Sequence, residues 1–576
     1  MSELADPVRA YHQRSKHALN RYAAGPDTLD WDAQPDPWRR WAGAPWQALP
    51  LLADDALPAR WPGLHRPGAV PAQPLHVNSL SALLALAFGL AAWKTLGPDR
   101  WAVRCNPSSG NLHPTEAYVL ARGVAGLGDG LWHYTPCEHG LEQRAAWPAD
   151  AAQPPGLWLG LTSIHWREAW KYGERAFRYC QLDAGHALGA VRYAAALLGW
   201  QARVVPGLGH AQLAAWLGTD RAVDFGSAEA EEPELLLAIG PVDAAALGEP
   251  AGPCVPLSAW QGHANRLDRH PMYRWPVIDT VAQATRPVAE AGAPLAPMAA
   301  AMSAPVSAAI HAALPIADDI SGPSAQQLIR QRRSAQRFDR QARIGASALA
   351  AIAQALHTDP QRSGLPWDVL GHAAPQVHPV FFAHRVDGLA PGAYVLPRSA
   401  AGEALLRAVL PATLDWRPVD LIASPGGPPA RLWQLVENPA LAGTLRTLNC
   451  HQALGSDAAV AVAMLGAFDA PLTERPDAYR QLLREAGLLG QVLYLQAEAL
   501  GLRGTGIGCY FDDAVHQLLG LADGDTRLQS LYHFTLGLPV ADARIATDPP
   551  YAHLHVNGEG QPGQPARPVL GPEDFR

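Results

Sequence analysis

The sequence predicts an α+β fold written twice along one chain. Three observations carry that expectation. Asp183-Ala184-Gly185 opens an amphipathic run ending at Leu198-Gly199-Trp200, and Glu485-Ala486-Gly487 opens a similar run ending at Leu500-Gly501-Leu502. Glu234–Val242 (ELLLAIGPV) and His533–Val540 (HFTLGLPV) then each read as a buried strand stopped by Gly and Pro. Upstream, His113-Pro114 and His378-Pro379 each lead into an apolar stretch, a Gly turn and a short aromatic run, Gly130–Tyr134 and Gly392–Tyr394. Matches kept in the same order indicate a duplicated unit. Helices alternating with a few strands make each unit α+β.

The elements follow from local chemistry. Leu489, Leu493, Ala497 and Leu500 recur at steps of three and four, which predicts a buried helix. Gly487 and Gly490 remove side chains from that helix, as close packing against another backbone would require. Between the units, an Ala/Pro-rich stretch is poor in core-forming side chains and reads as a linker. The expected organisation is residues 1–281 as one domain, 282–324 as linker and 325–576 as a second domain.

Composition narrows the class. The 576 residues are 48% hydrophobic and 17% charged, which excludes a disordered chain. A net charge of −8 argues against a nucleic-acid partner. The first residues, Met1–Asp6, carry acids and no apolar core, so no signal peptide is expected. The longest uncharged stretch, Ala291–Ala317, is broken by four prolines, so no membrane span is expected. Six cysteines without CxxC spacing predict neither a disulfide framework nor a zinc site. A cytoplasmic protein with no metal is the expectation. Lysine is rare: Lys16, Lys94 and Lys171 are the three in the chain.

Four segments carry chemistry. Asn106-Pro107-Ser108-Ser109-Gly110-Asn111 offers hydroxyls, amides and exposed N–H groups suited to the polar edge of a planar heterocycle, or is an ordinary Pro/Ser turn. Arg332-Arg333-Ser334, followed by Gln336, suits a phosphate through charge-assisted bonds, or is a solvated basic helix end. Gly501–Tyr510, with Gly506, Ile507, Gly508 and Cys509, is a Gly-rich loop able to lie flat on a ring. It is neither a Walker loop nor a dinucleotide fingerprint, and Asp512-Asp513 beyond it are expected to cap the next helix. Lys171-Tyr172 could supply a base, by a lowered phenol or a buried amine, or be a surface pair. No GxSxG, HExxH or EF-hand motif occurs.

Together these segments resemble the nitroreductase superfamily of FMN-dependent oxidoreductases, in tandem. The run Lys171–Tyr179 with Asp183–His186 is most similar to the azole-forming dehydrogenase branch of SagB type. That resemblance implies FMN as cofactor, Lys171 and Tyr172 as catalytic residues and a small-molecule or peptide substrate, with oxidation of azolines to azoles as the reaction. It also implies a flavin held by two polypeptide surfaces. Arg332, Arg333, Ser334, Gln336, Gly506, Ile507, Gly508, Cys509 and Arg544 match one surface, and Pro107, Ser108, Ser109 and Asn111 match the other. The two sets lie in different halves, so an intramolecular pseudo-dimer is expected, as a monomer or a homodimer of it. The complementary set is degraded: Ala373–Val377 has no Ser-Ser, and Gln13–His17 stands where Arg-Arg-Ser would be. One FMN pocket per chain is therefore expected. An NAD(P)H-dependent nitro or quinone reductase, and a flavin-less scaffold or binding protein, are the alternatives.

Overall fold

The structure, a computed structural model, describes residues 6–148, 155–241, 260–288, 321–358, 364–371, 374–424, 427–554 and 567–575. The stretch 289–320 of the expected linker, Cys254 and Ala373 lie outside them.

The chain enters on α1 (Pro7–Arg14), where the Asp6 carboxylate caps the first turn by accepting from Val8 and Arg9 N–H. The first half continues with β1 (Trp46–Ala48), β2 (Leu51–Leu52), α2 (Val77–Ala87), β3 (Leu90–Leu96), β4 (Asp99–Arg104), β5 (Thr115–Arg122), β6 (Gly130–Thr135), β7 (Gly140–Ala146) and β8 (Gly156–Ser163). It closes with α3 (His165–Tyr172), α4 (Ala176–Leu197), β9 (Trp200–Val204) and β10 (Glu232–Pro241). Seven of these strands form an antiparallel sheet in the order β9-β10-β8-β5-β6-β7-β1. Strands β5 and β8 are buried on both faces, apart from Arg122 at the end of β5, and read as near-continuous apolar runs.

The second half carries α5 (Pro276–Ala284), α6 (Ala325–Gln331), β11 (Val377–Ala383), β12 (Gly392–Val395), β13 (Arg417–Ile422), β14 (Pro429–Glu437), α7 (Leu441–Leu448) and β15 (Val460–Ala467). After these come α8 (Ala478–Ala499), β16 (Arg503–Ile507), α9 (Asp512–Leu518), β17 (Leu528–Gly537), β18 (Ala546–Asp548) and β19 (Val569–Leu570). Its antiparallel sheet runs β13-β14-β12-β11-β15-β17-β16.

The two halves meet on α4 and α8, each 22 residues long. Gly185 and Gly487 face each other, and a Cβ on Gly185 would lie 2.8 Å from the Gly487 Cα. That approach is possible because neither residue has a side chain. Leu182, Leu188, Leu488, Leu489 and Leu493 belong to one buried cluster shared by both halves, each contributing about 2 kcal/mol of burial. Two arginines lock the crossing. Arg178 on α4 donates to Asp512 and to the Tyr510 hydroxyl, both at 2.8 Å. Arg480 on α8 donates to Glu234 at 2.7 Å and Glu232 at 2.8 Å.

Several sequence expectations change here. The Gly-rich segment is in part an edge strand, β16, because its N–H groups pair with β17. Asp512 is buried inside α9 and paired with Arg175 and Arg178, whereas Phe511 is the cap position. The boundary between residues 281 and 282 falls inside α5. The C-terminal segment leaves its own sheet: β18 pairs with β3, and β19 runs parallel to β2. Among the described residues no helix is long and apolar enough to cross a membrane.

Candidate active site between the two halves

A cavity of about 650 Å³ lies where α4, α8, the 106–111 turn, the 332–336 segment and the 503–509 segment converge. Its first wall is the turn before β5. Ser109 donates from its N–H (3.1 Å) and hydroxyl (3.0 Å) to Asp183 on α4. The Ser108 hydroxyl accepts from His113 N–H at 2.8 Å, and Asn111 donates to the Ala102 carbonyl at 2.9 Å. Gly110 and Asn111 both hold φ near 60°. At Gly110 a Cβ would meet the Tyr172 hydroxyl at 2.6 Å, so glycine lets the phenol lie over the turn.

The opposite wall is cationic. Arg332 is buried, donating to the carbonyls of Cys105 (3.1 Å) and Arg104 (3.2 Å). Its Nη1 is buried with no hydrogen-bond partner among the described residues. Arg333 donates to Ala91, Arg330 and Arg332 carbonyls, and burial together with Arg332 pushes it down to about 10. Lys94 and Arg503 stand on the same side, and burial, Arg333 and Arg503 lower the Lys94 amine. The basic run, read from sequence as a phosphate site or a solvated helix end, is thus partly buried on the cavity wall, and the Arg332 guanidinium there keeps a donor without a partner among the described residues, which suits an anion.

Ser334 is tied to the floor. Its hydroxyl bonds the Tyr494 hydroxyl at 2.8 Å, and that hydroxyl accepts from Gly506 N–H at 3.0 Å. The Thr505 hydroxyl and Gly504 carbonyl bind Ala335, so the 334–335 segment is stitched to β16. His186 on α4 bonds the Tyr532 hydroxyl at 3.0 Å, and burial holds the imidazole neutral, down to about 3. Tyr172 and Tyr179 pack edge to face, 4.6 Å between ring centres.

Of the two acid–base readings of the Lys-Tyr pair, the lowered phenol is not found, and the lowered amine is found but off the cavity lining. Tyr172 lines the cavity, but burial and Glu168 push its phenol well above 10, so it is a proton donor and not a phenolate. Lys171 is not in the lining. Its ammonium lies 5.2 Å from the Trp31 ring and 5.5 Å from the Tyr172 ring, and burial lowers it against the pull of Glu168. Asp183, which the sequence placed only in a motif, is the titrating group: burial outweighs the Ser108 and Ser109 hydrogen bonds and raises it to about 7. Behind it Glu168 is fully buried, neither oxygen hydrogen-bonded in good geometry, and raised well above 4.5 by burial and by Asp183.

Of the predicted residues, Pro107, Ser108, Ser109, Asn111, Tyr172, Arg332, Arg333, Ser334, Gln336, Gly506, Ile507, Gly508 and Cys509 come together on the cavity. Arg544 does not: Asp542 and Ile545 line the rim, while Arg544 is exposed and paired with Asp542 at 2.7 Å. Asn106, Asp183, His186, Tyr494 and Tyr532 were missed by assignment from sequence. Asp183 and His186 had a signal, since residues three apart on the Gly185 helix share a face, and Asp183 holds the turn from that face.

This is an antiparallel α+β fold with a polar cavity between two sheet-bearing halves. Residues 329–538 match a family model described as the Nitroreductase family. A protein described as a nitroreductase from Methanocaldococcus jannaschii is 28% identical over 137 residues, which are 22% of this chain and 66% of that relative, just under two thirds of its length. A solved structure described as a nitroreductase from Anabaena variabilis is 20% identical, with a TM-score of 0.64 over 93% of this chain and all of its own. Another from Ralstonia eutropha is 22% identical, with a TM-score of 0.25 over 38% of this chain and 96% of its own. The fold is therefore nitroreductase-like, and residues 329–538 carry the match to the Nitroreductase family model.

Proposed function

We propose that this protein is an FMN-dependent oxidoreductase with one flavin site per chain, built between two nitroreductase-like halves that act as an intramolecular pseudo-dimer. The observation that carries this reading is the cavity itself. A hydroxyl-rich turn from one half faces a buried arginine with a free Nη1 from the other.

The residues fit FMN. Cavities of about 300–1,000 Å³ hold ligands of that size, and this one is about 650 Å³. Arg332, Arg333 and Arg503 would hold the phosphate. The 106–111 turn and the N–H groups of Gly508 and Cys509 would hold the ring edge, with Tyr172, Tyr179 and Tyr532 as apolar walls. When bound, the flavin supplies two-electron, hydride-accepting chemistry. Asp183, near neutrality, takes or returns a proton at its carboxylate oxygen beside Ser109. The Tyr172 hydroxyl donates to the substrate, and Lys171 positions that ring from behind. The tyrosine walls exclude water from the reacting face.

The finer reading is dehydrogenation of a peptide azoline to an azole in a soluble, cytoplasmic setting. It is supported by the Lys171–Tyr179 and Asp183–His186 motif around the cavity. A second reading, an NAD(P)H-dependent nitro or quinone reductase, is favoured by the family match of residues 329–538. Anaerobic mixing of the FMN-loaded protein separates them. Bleaching of the flavin band by an azoline peptide, and not by NADPH, is the expected result. Rapid bleaching by NADPH alone selects the reductase, and a protein that stays colourless after reconstitution removes both.

A further inference from the structure

One wall of the cavity carries a group that the proposed reaction does not use. Cys509 lines the cavity and is joined to Cys450 by a disulfide, with Cα atoms 5.9 Å apart across 59 residues of sequence. The sequence reading anticipated no such pairing. Cys450 and His451 follow α7 with φ of 52° and 61°. Left-handed backbone at a residue bearing a Cβ costs about 1–2 kcal/mol and collects at functional sites. His17, from the opposite half, completes the group: one of its ring nitrogens and the two sulfurs lie within 4.8 Å of one another. The His17 Nδ1 accepts from Ala23 N–H at 2.9 Å, which leaves the ring proton on Nε2. Burial and Arg175 push that imidazole down to about 3, so it is a neutral neighbour.

The other described cysteines contrast with this pair. Cys105 and Cys180 are buried with thiols pushed up by burial, and Cys137 is raised to about 11 by burial and Glu138. Thiols held protonated in this way are poor nucleophiles. Cys450 and Cys509 are each half-buried and already joined, and Cys509 lines the cavity.

We propose that Cys450 and Cys509 form a thiol–disulfide redox site opened by a small-molecule or protein dithiol, whose state sets the cavity wall at Gly506–Cys509. A thiolate of the dithiol attacks one sulfur, and the Cys450–Cys509 bond breaks. The electron pair leaves on the second sulfur, which takes a proton from water. The second thiol of the reagent then displaces the mixed disulfide. The reagent is oxidised to its disulfide, and the protein gains two electrons and two protons as two thiols. In the oxidised state the cross-link ties the 506–509 wall to the end of α7. After reduction the wall keeps the bonds from Arg175 to the Gly508 carbonyl (3.1 Å) and from Gln452 to the Cys509 carbonyl (3.4 Å).

The effect on the cavity rests on the FMN reading, whereas the thiol chemistry does not. The test equilibrates the full-length protein with mixtures of reduced and oxidised dithiothreitol, alkylates it and maps the label by mass spectrometry. FMN affinity is then measured by fluorescence in both states and for Cys450→Ser. The expected result is joint, reversible labelling of Cys450 and Cys509, with a dissociation constant raised about fivefold or more on reduction. Cys450→Ser should show the reduced-state affinity under both conditions. Labelling in every oxidising mixture, resistance of the pair to reduction in the folded protein, or stoichiometric zinc on the reduced protein would each overturn the redox site. Equal affinity in all three forms would overturn its hold on the wall. Absence of FMN binding in every state counts against the cofactor reading, while the labelling still decides the redox site.

Discussion

Asp183 and Glu485 hold matching places, two residues before the glycines at which α4 and α8 cross, yet their surroundings differ. Each carboxylate receives a backbone N–H from a turn leading into a His-Pro pair: Ser109 N–H reaches Asp183 at 3.1 Å, and Gln376 N–H reaches Glu485 at 3.1 Å. Around Asp183 the further partners are hydroxyls, and the carboxyl opens on the cavity. Around Glu485 the partner is Arg398, buried and ion-paired to it. Arg398 also donates to the carbonyls of Leu356 (2.8 Å) and Val377 (3.1 Å) and lies 4.2 Å over the Trp367 ring. One internal cation is enough to turn a ligand-facing turn into a structural one. Where the acid lacks a cation, burial raises its pKa and leaves a proton to exchange.

The comparison can be broken at Arg398. Arg398→Met leaves Glu485 buried without its cation and should cost about 3–5 kcal/mol, read by urea denaturation, with FMN content unchanged. Loss of flavin in a folded Arg398→Met protein would mean that this side also supports a ligand.

Asp183 gives the next largest effect. Its folded pKa of about 7 lies above the ordinary 3.8, so the native state holds the proton more tightly than the unfolded chain. Its contribution to stability is complete below about pH 4 and is lost as pH rises toward 7. Asp183→Asn should remove that slope, a difference on the order of 2–4 kcal/mol between pH 4 and 8. Parallel pH–stability curves for the two proteins would refute the assignment.

Arg332 sharpens the cationic side. Arg332→Met should weaken FMN binding by about 10–100-fold through loss of a charge-assisted bond, whereas Arg544→Ala, on an exposed pair, should leave it within about twofold. Titration of apoprotein with FMN measures both. The smallest effect is at Lys171, which stands behind the cavity wall. Lys171→Ala removes a cation–π contact of about 0.5–1 kcal/mol, and turnover should fall by less than about fivefold. A loss of several hundredfold, with flavin bound, would place the amine in the reaction.

Much of the scaffold was legible in the sequence because its cause is local. Glycines inside an apolar helix announce a backbone contact, and Gly185 meets Gly487 as that rule requires. The two polar walls were legible too, since Ser109 and Arg332 sit in motifs dense in groups that no core would accept unpaired. Other features depend on contacts remote in sequence. β18 and β19 are three and two residues long, so no periodicity marks their crossing to the other half. Asp512 follows a Gly-rich segment and resembles a cap until Arg175, just before α4, and Arg178, on its first turn, arrive to pair with it. Glu168 gains its raised pKa from burial and from Asp183 beside it, which composition does not reveal. Arg398 is an ordinary arginine in sequence, and only its place beside Glu485 explains why the second turn carries no cavity-facing acid.

The most direct test of one site per chain is the ratio of FMN to polypeptide, measured by absorbance after reconstitution and gel filtration. A ratio of one, retained in Arg398→Met and lost in Arg332→Met, is the predicted result. A ratio of two would show that the Glu485 side also binds flavin, and a ratio of zero would contradict the cavity's assignment altogether.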